Sequence, residues 1–189
     1  MRVGLFGGTF NPVHLGHLGL AEAALRQIPL DECWWIPAHH APHKELEGAV
    51  SAEDRARMVG LAIEGNPAFR LSRVELDRPA PSYTIDTVRL LQRQHPEHQW
   101  FFLIGADTAQ ELPSWREIDS LRALVQFVAI PRPGIPAAPA QAGAVRWIQA
   151  QSVPISSSEI RQRIRRGDSI DTWVPRQVAR YIRERGFYR

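Results

Sequence analysis

Val3-Gly4-Leu5-Phe6-Gly7-Gly8-Thr9-Phe10-Asn11-Pro12-Val13-His14-Leu15-Gly16-His17 is the stretch that decides how this chain folds. A short apolar run, Val3 to Phe6, leads into two glycines, and an amphipathic stretch, Leu18 to Ile28, follows. That order reads as strand, glycine-rich turn, helix. Glycines let a backbone approach a bulky ligand without a Cβ in the way. A helix start adds free backbone N–H groups and the positive end of a dipole, which suits phosphate. His14 and His17 share one face if the turn is helical, and they bring further donors to the place where phosphate would sit.

Outward from this unit, strand and helix signals alternate. Leu18, Ala21, Leu25 and Ile28 repeat at helical spacing, Pro29 closes the helix, and Cys33 to Ile36 is a second apolar run, so the opening reads β-α-β. A loop from Pro37 to Gly48 carries His39, His40, Pro42, His43 and Lys44. Ser51 followed by Asp54 marks a helix start, and the helix is expected to run through Met58, Leu61 and Ala62 to Gly65. A third strand is expected over Phe69 to Leu76, a proline-punctuated loop over Asp77 to Tyr83, and a helix over Thr84 to Gln94. Trp100 to Ile104 and Val125 to Ile130 are continuous apolar runs, typical of strands buried on both faces. Gly105-Ala106-Asp107 ends the first and Pro131-Arg132-Pro133-Gly134 the second; a helical stretch and the corner Leu112-Pro113-Ser114-Trp115 lie between. Residues 134–144 read as a surface loop, Val145 to Ile148 as a strand, and Ser156 to Arg166 and Pro175 to Arg185 as arginine-rich helices. This alternation predicts one α/β domain over residues 1–189: a Rossmann-like doubly wound parallel sheet with a C-terminal helical segment from residue 155. In such sheets ligands bind at the carboxyl ends of the strands, where strand order reverses. The turns at Gly7–His17, Gly105–Asp107 and Pro131–Gly134 are therefore expected on one edge.

Composition sets the class. The 189 residues are 44% hydrophobic, enough for a core, and no apolar run is long enough to cross a bilayer. No signal peptide is visible. The single Cys33 cannot form an internal disulfide, no Cys/His spacing resembles a zinc site, and a cytoplasmic setting is the expectation. The net charge of +3 is uneven: Glu159 to Arg189 holds nine arginines against four carboxylates, a local +5, leaving −2 elsewhere. That is either a solvated helical surface or a basic wall for an anion. Aromatic residues do not interleave with the arginines until the last few positions, which speaks against nucleic acid.

The turn lacks G-x-G-x-x-G and the Gly-Lys-Ser/Thr ending of a P-loop. As a whole, Gly-Gly-Thr-Phe-Asn-Pro-x-His-x-Gly-His resembles the signature of the nucleotidyltransferase superfamily, which shares His-x-Gly-His with class I aminoacyl-tRNA synthetases; Asn11 stands where Asp is frequent. Ile155-Ser156-Ser157-Ser158-Glu159-Ile160-Arg161 resembles the superfamily's second signature, Ile-Ser-Ser-Thr-x-Ile-Arg, with Ser158 in place of Thr. Hydroxyls at a helix start can donate to phosphate, with the dipole behind them, although a serine there can also be a plain cap. Pro42-His43-Lys44, Pro81-Ser82-Tyr83-Thr84, Ile104-Gly105-Ala106-Asp107, Leu112-Pro113-x-Trp115 and Arg132-Pro133-Gly134 narrow the resemblance to bacterial nicotinate mononucleotide adenylyltransferases.

The resemblance implies adenylyl transfer from ATP to nicotinate mononucleotide, releasing pyrophosphate, with Mg²⁺ and without a covalent enzyme intermediate. His14 and His17 would be the catalytic groups. Gly7, Gly8, Thr9, Phe10, Gly105, Asp107, Ser156, Ser157, Ser158 and Arg161 would join them around ATP. Lys44, Ser82, Tyr83, Thr84, Trp115 and Arg132 would hold the mononucleotide, with Trp115 stacked on the pyridine ring; no side chain is assigned to a metal. Trp34, Trp35, Trp100, Trp147 and Trp173 read as core or partner surface, and Cys33 as an inert buried thiol. Acceptors such as nicotinamide mononucleotide or phosphopantetheine stay open on the two outer motifs alone, and so does a non-catalytic binding protein. Association into a homo-oligomer is left open.

Overall fold

The structure is a computed structural model describing residues 1–39, 50–130, 145–150 and 153–189. Six strands, β1 (Arg2–Gly8), β2 (Glu32–Pro37), β3 (Phe69–Leu71), β4 (Gln99–Gly105), β5 (Gln126–Ile130) and β6 (Val145–Trp147), form one sheet in the order β3-β2-β1-β4-β5-β6. Every pairing is parallel. Strand order reverses between β1 and β4, the crevice where such sheets take ligands.

Side chains alternate across this sheet with the two-residue strand period. Phe6, Cys33, Trp35, Phe101, Leu103 and Val128 face one core, together with helices α1 (Leu15–Gln27), α2 (Ala52–Ile63), α6 (Ser157–Arg166) and α7 (Arg176–Arg185). Leu5, Trp34, Ile36, Phe102, Ile104 and Phe127 face the other, with α3 (Thr84–Gln94) and α5 (Ile118–Leu124). A short helix α4 (Ala106–Glu111) and a 3₁₀ turn (Leu112–Ser114) follow β4. The C-terminal helices are not an appendage: Ile160, Val178, Ala179 and Ile182 lie in the first core, and Tyr181 donates to Asp54 on α2 at 2.8 Å. No helix among the described residues is long and apolar enough to cross a membrane.

Most expected elements form within a residue or two, and α3 spans Thr84–Gln94 as expected. The third strand is the main difference. It ends at Leu71, with a last ladder bond from Ser72 N–H to the Trp35 carbonyl, and residues 74–77 form a turn. Arg73 leaves the sheet edge to pair with Glu53 and Asp77, and Val74 packs on the second core instead of extending a strand. Helix α1 begins at Leu15 rather than Leu18, which makes His14 its N-cap and places His17 in its first turn. Burial lifts the Cys33 thiol far above its usual range, so it stays a protonated, inert group.

Candidate active site

The signature turn leaves β1 at Gly8 and enters α1 at Leu15, directly over the point where strand order reverses. Its shape comes from packing. Phe10 takes φ of 49° and buries its ring against Phe6, Trp35 and His17, at 5.6, 5.5 and 5.1 Å between centroids. A Cβ on Gly8 would lie 3.0 Å from that ring, so position 8 has no room for a side chain. The Phe10 side chain, expected among the ATP contacts, is therefore a core group, and only its backbone can serve the turn.

His14 caps α1 and makes a reciprocal box with His17. The His14 N–H donates to His17 Nδ1 at 3.2 Å, and the His17 N–H lies 2.9 Å from the His14 carbonyl and 3.4 Å from His14 Nδ1. The rings stack at 3.7 Å and 28°. With both Nδ1 atoms accepting, a neutral ring carries its proton on Nε2. His14 is 3% exposed and His17 half-buried, so His17 is the accessible member and His14 its backing. Gly16 makes the stack possible: a Cβ there would meet His14 Nδ1 at 2.9 Å and Cε1 at 3.0 Å. The expected open helix start is partly closed, because the Leu15 N–H donates to the Trp173 carbonyl at 3.0 Å.

The second motif sits against the first. Ser156 caps α6, accepting from the Glu159 N–H, and the Ser157 hydroxyl donates to the Pro12 carbonyl at 2.9 Å. Arg161 donates to the Asn11 carbonyl at 2.8 Å and to the Ser158 hydroxyl at 3.2 Å. The 145-residue separation between Pro12 and Ser157 is closed, and the two signatures form one surface. Elsewhere, five arginines of the basic segment engage the protein itself. Arg166, Arg180, Arg183 and Arg185 pair with Asp168, Glu184, Asp171 and Asp54, and Arg163 lies over the Trp173 ring.

Two supports carried no motif. Arg55 on α2 is fully buried and donates to three backbone carbonyls: Thr9 at 2.6 Å, Ala38 at 2.7 Å and His39 at 3.1 Å. Burial lowers its pKa, and among the described residues no carboxylate pairs with it. It thus places a buried cation beneath the glycine-rich turn. The signal for it lay in spacing, since Arg55 falls on the apolar stripe with Met58 and Val59. Tyr188, next to the last residue, donates from its buried hydroxyl to Asn11 Oδ1 at 2.7 Å, and burial raises its phenol pKa. Thr9, Asn11 and Pro12 thus turn their carbonyls toward Arg55, Arg161 and Ser157. In a trans peptide the following N–H points the opposite way, so the Phe10 and Val13 amides face away from Arg55 and Ser157.

The mononucleotide motifs gather on the other side of the reversal. Gly105 ends β4 and caps α4, with Asp107 in the first turn. A Cβ on Gly7 would touch Phe102 at 3.4 Å, and the Phe102 ring meets Trp115 edge-on at 5.8 Å. Trp115 is half-buried, so it is not an ordinary core tryptophan. Tyr83 caps α3 and lies under the Arg116 guanidinium at 4.6 Å, and Thr84 is the first residue of the helix. The Ser82 hydroxyl oxygen is buried without a hydrogen bond among the described residues, a group that a ligand would satisfy. Behind this loop, Thr87 donates to Glu75 at 2.9 Å and accepts from Arg78 at 2.6 Å, and burial raises the Glu75 carboxyl pKa. Lys44 and Arg132, expected at the mononucleotide phosphate, lie outside the described residues, as do His40, His43 and the Pro131–Gly134 turn.

A cytidylyltransferase-like family model matches residues 5–163. The nicotinate-nucleotide adenylyltransferase of Bacillus subtilis is 40% identical over 99% of this chain and 98% of its own length. A probable nicotinate-nucleotide adenylyltransferase of Shouchella clausii is 46% identical over 99% of this chain and 96% of its own. The chain belongs to the nicotinate-nucleotide adenylyltransferase family. The family's fold is also found at low identity: the nicotinic acid mononucleotide adenylyltransferase of Plasmodium falciparum, solved with NaAD, matches with a TM-score of 0.81 at 20% identity, over 99% of this chain and 97% of that one.

Proposed function

We propose that this protein transfers the adenylyl group of ATP to nicotinate mononucleotide, giving nicotinate adenine dinucleotide and pyrophosphate. The observation that carries the reading is the joining of the two phosphate signatures by Ser157 and Arg161 at the reversal of strand order, with Trp115 packed edge-on against Phe102 of β4 and Arg116 over Tyr83. A phosphate oxygen of the mononucleotide bonds to the α-phosphorus of ATP as the bond to the bridging oxygen breaks, and pyrophosphate leaves. A phosphate monoester is already ionised near neutral pH, so no general base is required. The protein positions two anions in line and neutralises charge on the leaving group.

His17, backed by His14, donates to the triphosphate where charge builds. Ser157, Ser158 and Arg161 take the β- and γ-phosphates, exchanging present bonds to Pro12 and Asn11 for bonds to ligand. Gly105 and Asp107 meet the nucleotide ribose. Trp115 stacks on the pyridine ring, Thr84 and nearby amides receive the carboxylate, and Lys44 and Arg132 take the mononucleotide phosphate. Imidazole, hydroxyl and guanidinium groups suit phosphate rather than a hard cation. Mg²⁺ would therefore be held through the phosphates of ATP rather than by these side chains, and would offset phosphate charge. The reaction belongs to a cytoplasmic setting.

Pyrophosphate release with ATP and each of nicotinate mononucleotide, nicotinamide mononucleotide and phosphopantetheine tests this reading. Preferred turnover of nicotinate mononucleotide is expected. Turnover with phosphopantetheine alone would overturn it.

A further inference from the structure

The opposite end of the sheet carries a cluster that adenylyl transfer does not use. Helix α3 ends at Gln94 and β4 begins at Gln99, with His95-Pro96-Glu97-His98 between them. The His98 N–H donates to the His95 carbonyl at 3.1 Å, which closes a tight turn with Pro96 in its second position. Proline there fixes the backbone in turn geometry. The His95 N–H donates to the Leu91 carbonyl at 2.9 Å, so the turn is anchored on the helix.

This rigid turn presents two imidazoles and a carboxylate together. One donor atom from each of His95, Glu97 and His98 lies within 4.8 Å of the others. The imidazole rings stack 5.0 Å apart at 26°. Trp34 meets His95 at 5.2 Å, Trp100 meets His98 at 5.3 Å, and the His98 side chain is only 8% exposed. Glu97 Oε1 sits 2.7 Å from His98 Nδ1 without the alignment of a hydrogen bond. Such a pair is well placed to share a cation.

We propose that His95, Glu97 and His98 form a binding site for Zn²⁺ or a similar borderline divalent ion, with water completing the coordination. Two nitrogens and one carboxylate oxygen are a zinc donor set, whereas Mg²⁺ prefers oxygen alone. Metal–donor distances of about 2.0–2.2 Å place donors roughly 3.4 Å apart in a tetrahedral sphere, a spacing that side-chain torsions can reach from atoms already within 4.8 Å of one another. Strand β4 runs seven residues, about 20 Å, from this turn to Gly105 at its far end, so the ion takes no part in adenylyl transfer. It staples the end of α3 to the start of β4 and stabilises the folded state by mass action. The proposal is independent of the identity of the substrate.

Five other histidines, His14, His17, His39, His40 and His43, make location the decisive readout. In the wild-type protein with saturating Mg²⁺, substoichiometric paramagnetic Ni²⁺ should broaden the Trp34 and Trp100 indole NMR signals before those of Trp115 and Trp173. Calorimetry should show a Zn²⁺ site that weakens by about tenfold or more in the double variant His95→Gln, His98→Gln. Unchanged Trp34 and Trp100 signals, or equal Zn²⁺ stoichiometry and affinity in the double variant, would overturn the proposal.

Discussion

Gly16→Ala is the sharpest probe of the histidine pair. The added Cβ would stand 2.9 Å from His14 Nδ1 and 3.0 Å from Cε1, against 3.4–4 Å for ordinary contact. The ring must give by about half an ångström, and it cannot do so freely, because His17 lies against it at 3.7 Å. An off-rotamer histidine costs about 0.5–1.5 kcal/mol. Loosening the cap costs about 1 kcal/mol more. Alanine in place of glycine within a helix returns about 1 kcal/mol. The net loss is thus about 1 kcal/mol, a fall in melting temperature of about 2–4 °C for a chain of this size. The effect on the reaction should be much larger, since misplacing a group by about 1 Å can cost about 10²-fold. Pyrophosphate-release kinetics should show kcat/KM reduced by about tenfold to 10²-fold, while circular dichroism reports a nearly unchanged fold. A variant with kcat/KM within about twofold of wild type would refute the argument that the missing Cβ sets the stack.

Arg55→Lys keeps the buried charge, but a single ammonium cannot bridge Thr9 to Ala38 and His39; losing one charge-assisted bond should lower the unfolding free energy from denaturant titration by about 1.5–3 kcal/mol, and an unchanged unfolding free energy would contradict the role given to Arg55. Burial raises the Glu75 carboxyl pKa, while Thr87 and Arg78 pull it back, so the folded state holds this proton more tightly than the unfolded one. Its contribution to stability is greatest below the ordinary value of 4.5 and declines as pH rises through the folded value. Glu75→Gln should therefore gain on wild type as pH rises toward neutrality, and a difference independent of pH would count against it. Trp115→Ala should raise KM for the mononucleotide by roughly 5- to 150-fold, from a stacking energy of about 1–3 kcal/mol, and leave ATP nearly untouched. Equal effects on both substrates would remove Trp115 from the pyridine ring. Tyr188→Phe deletes a buried bond to Asn11 and should lower stability by about 1 kcal/mol in a thermal melt; an unchanged melt would show that the chain end does not brace the turn.

The elements were legible where local signals agreed. Ser51 does cap α2, the Ile85–Val88–Leu91 stripe is buried, and the runs at Trp100 and Val125 are central strands, because periodicity and capping act over a few residues. Beyond Leu71 the apolar residues Val74 and Leu76 suggested more strand, but no sequence rule registers the pull of Glu53 on Arg73 across a sheet edge. The His95–His98 turn matches no zinc spacing, and only its folded form brings the three donors together.

By itself, the sequence determined that a glycine-rich turn, two histidines in a helix start and a serine-rich helix start would be built, and which family they resemble, since these depend on neighbouring residues. Tertiary structure decided how they meet. Arg161 and Ser157 reach the carbonyls of Asn11 and Pro12, Arg55 those of Thr9, Ala38 and His39, and Tyr188 closes on Asn11 from the far end of the chain. Each of those bonds satisfies a backbone or amide oxygen whose partner is many residues away, so its choice of donor exists only once the sheet has brought the segments together.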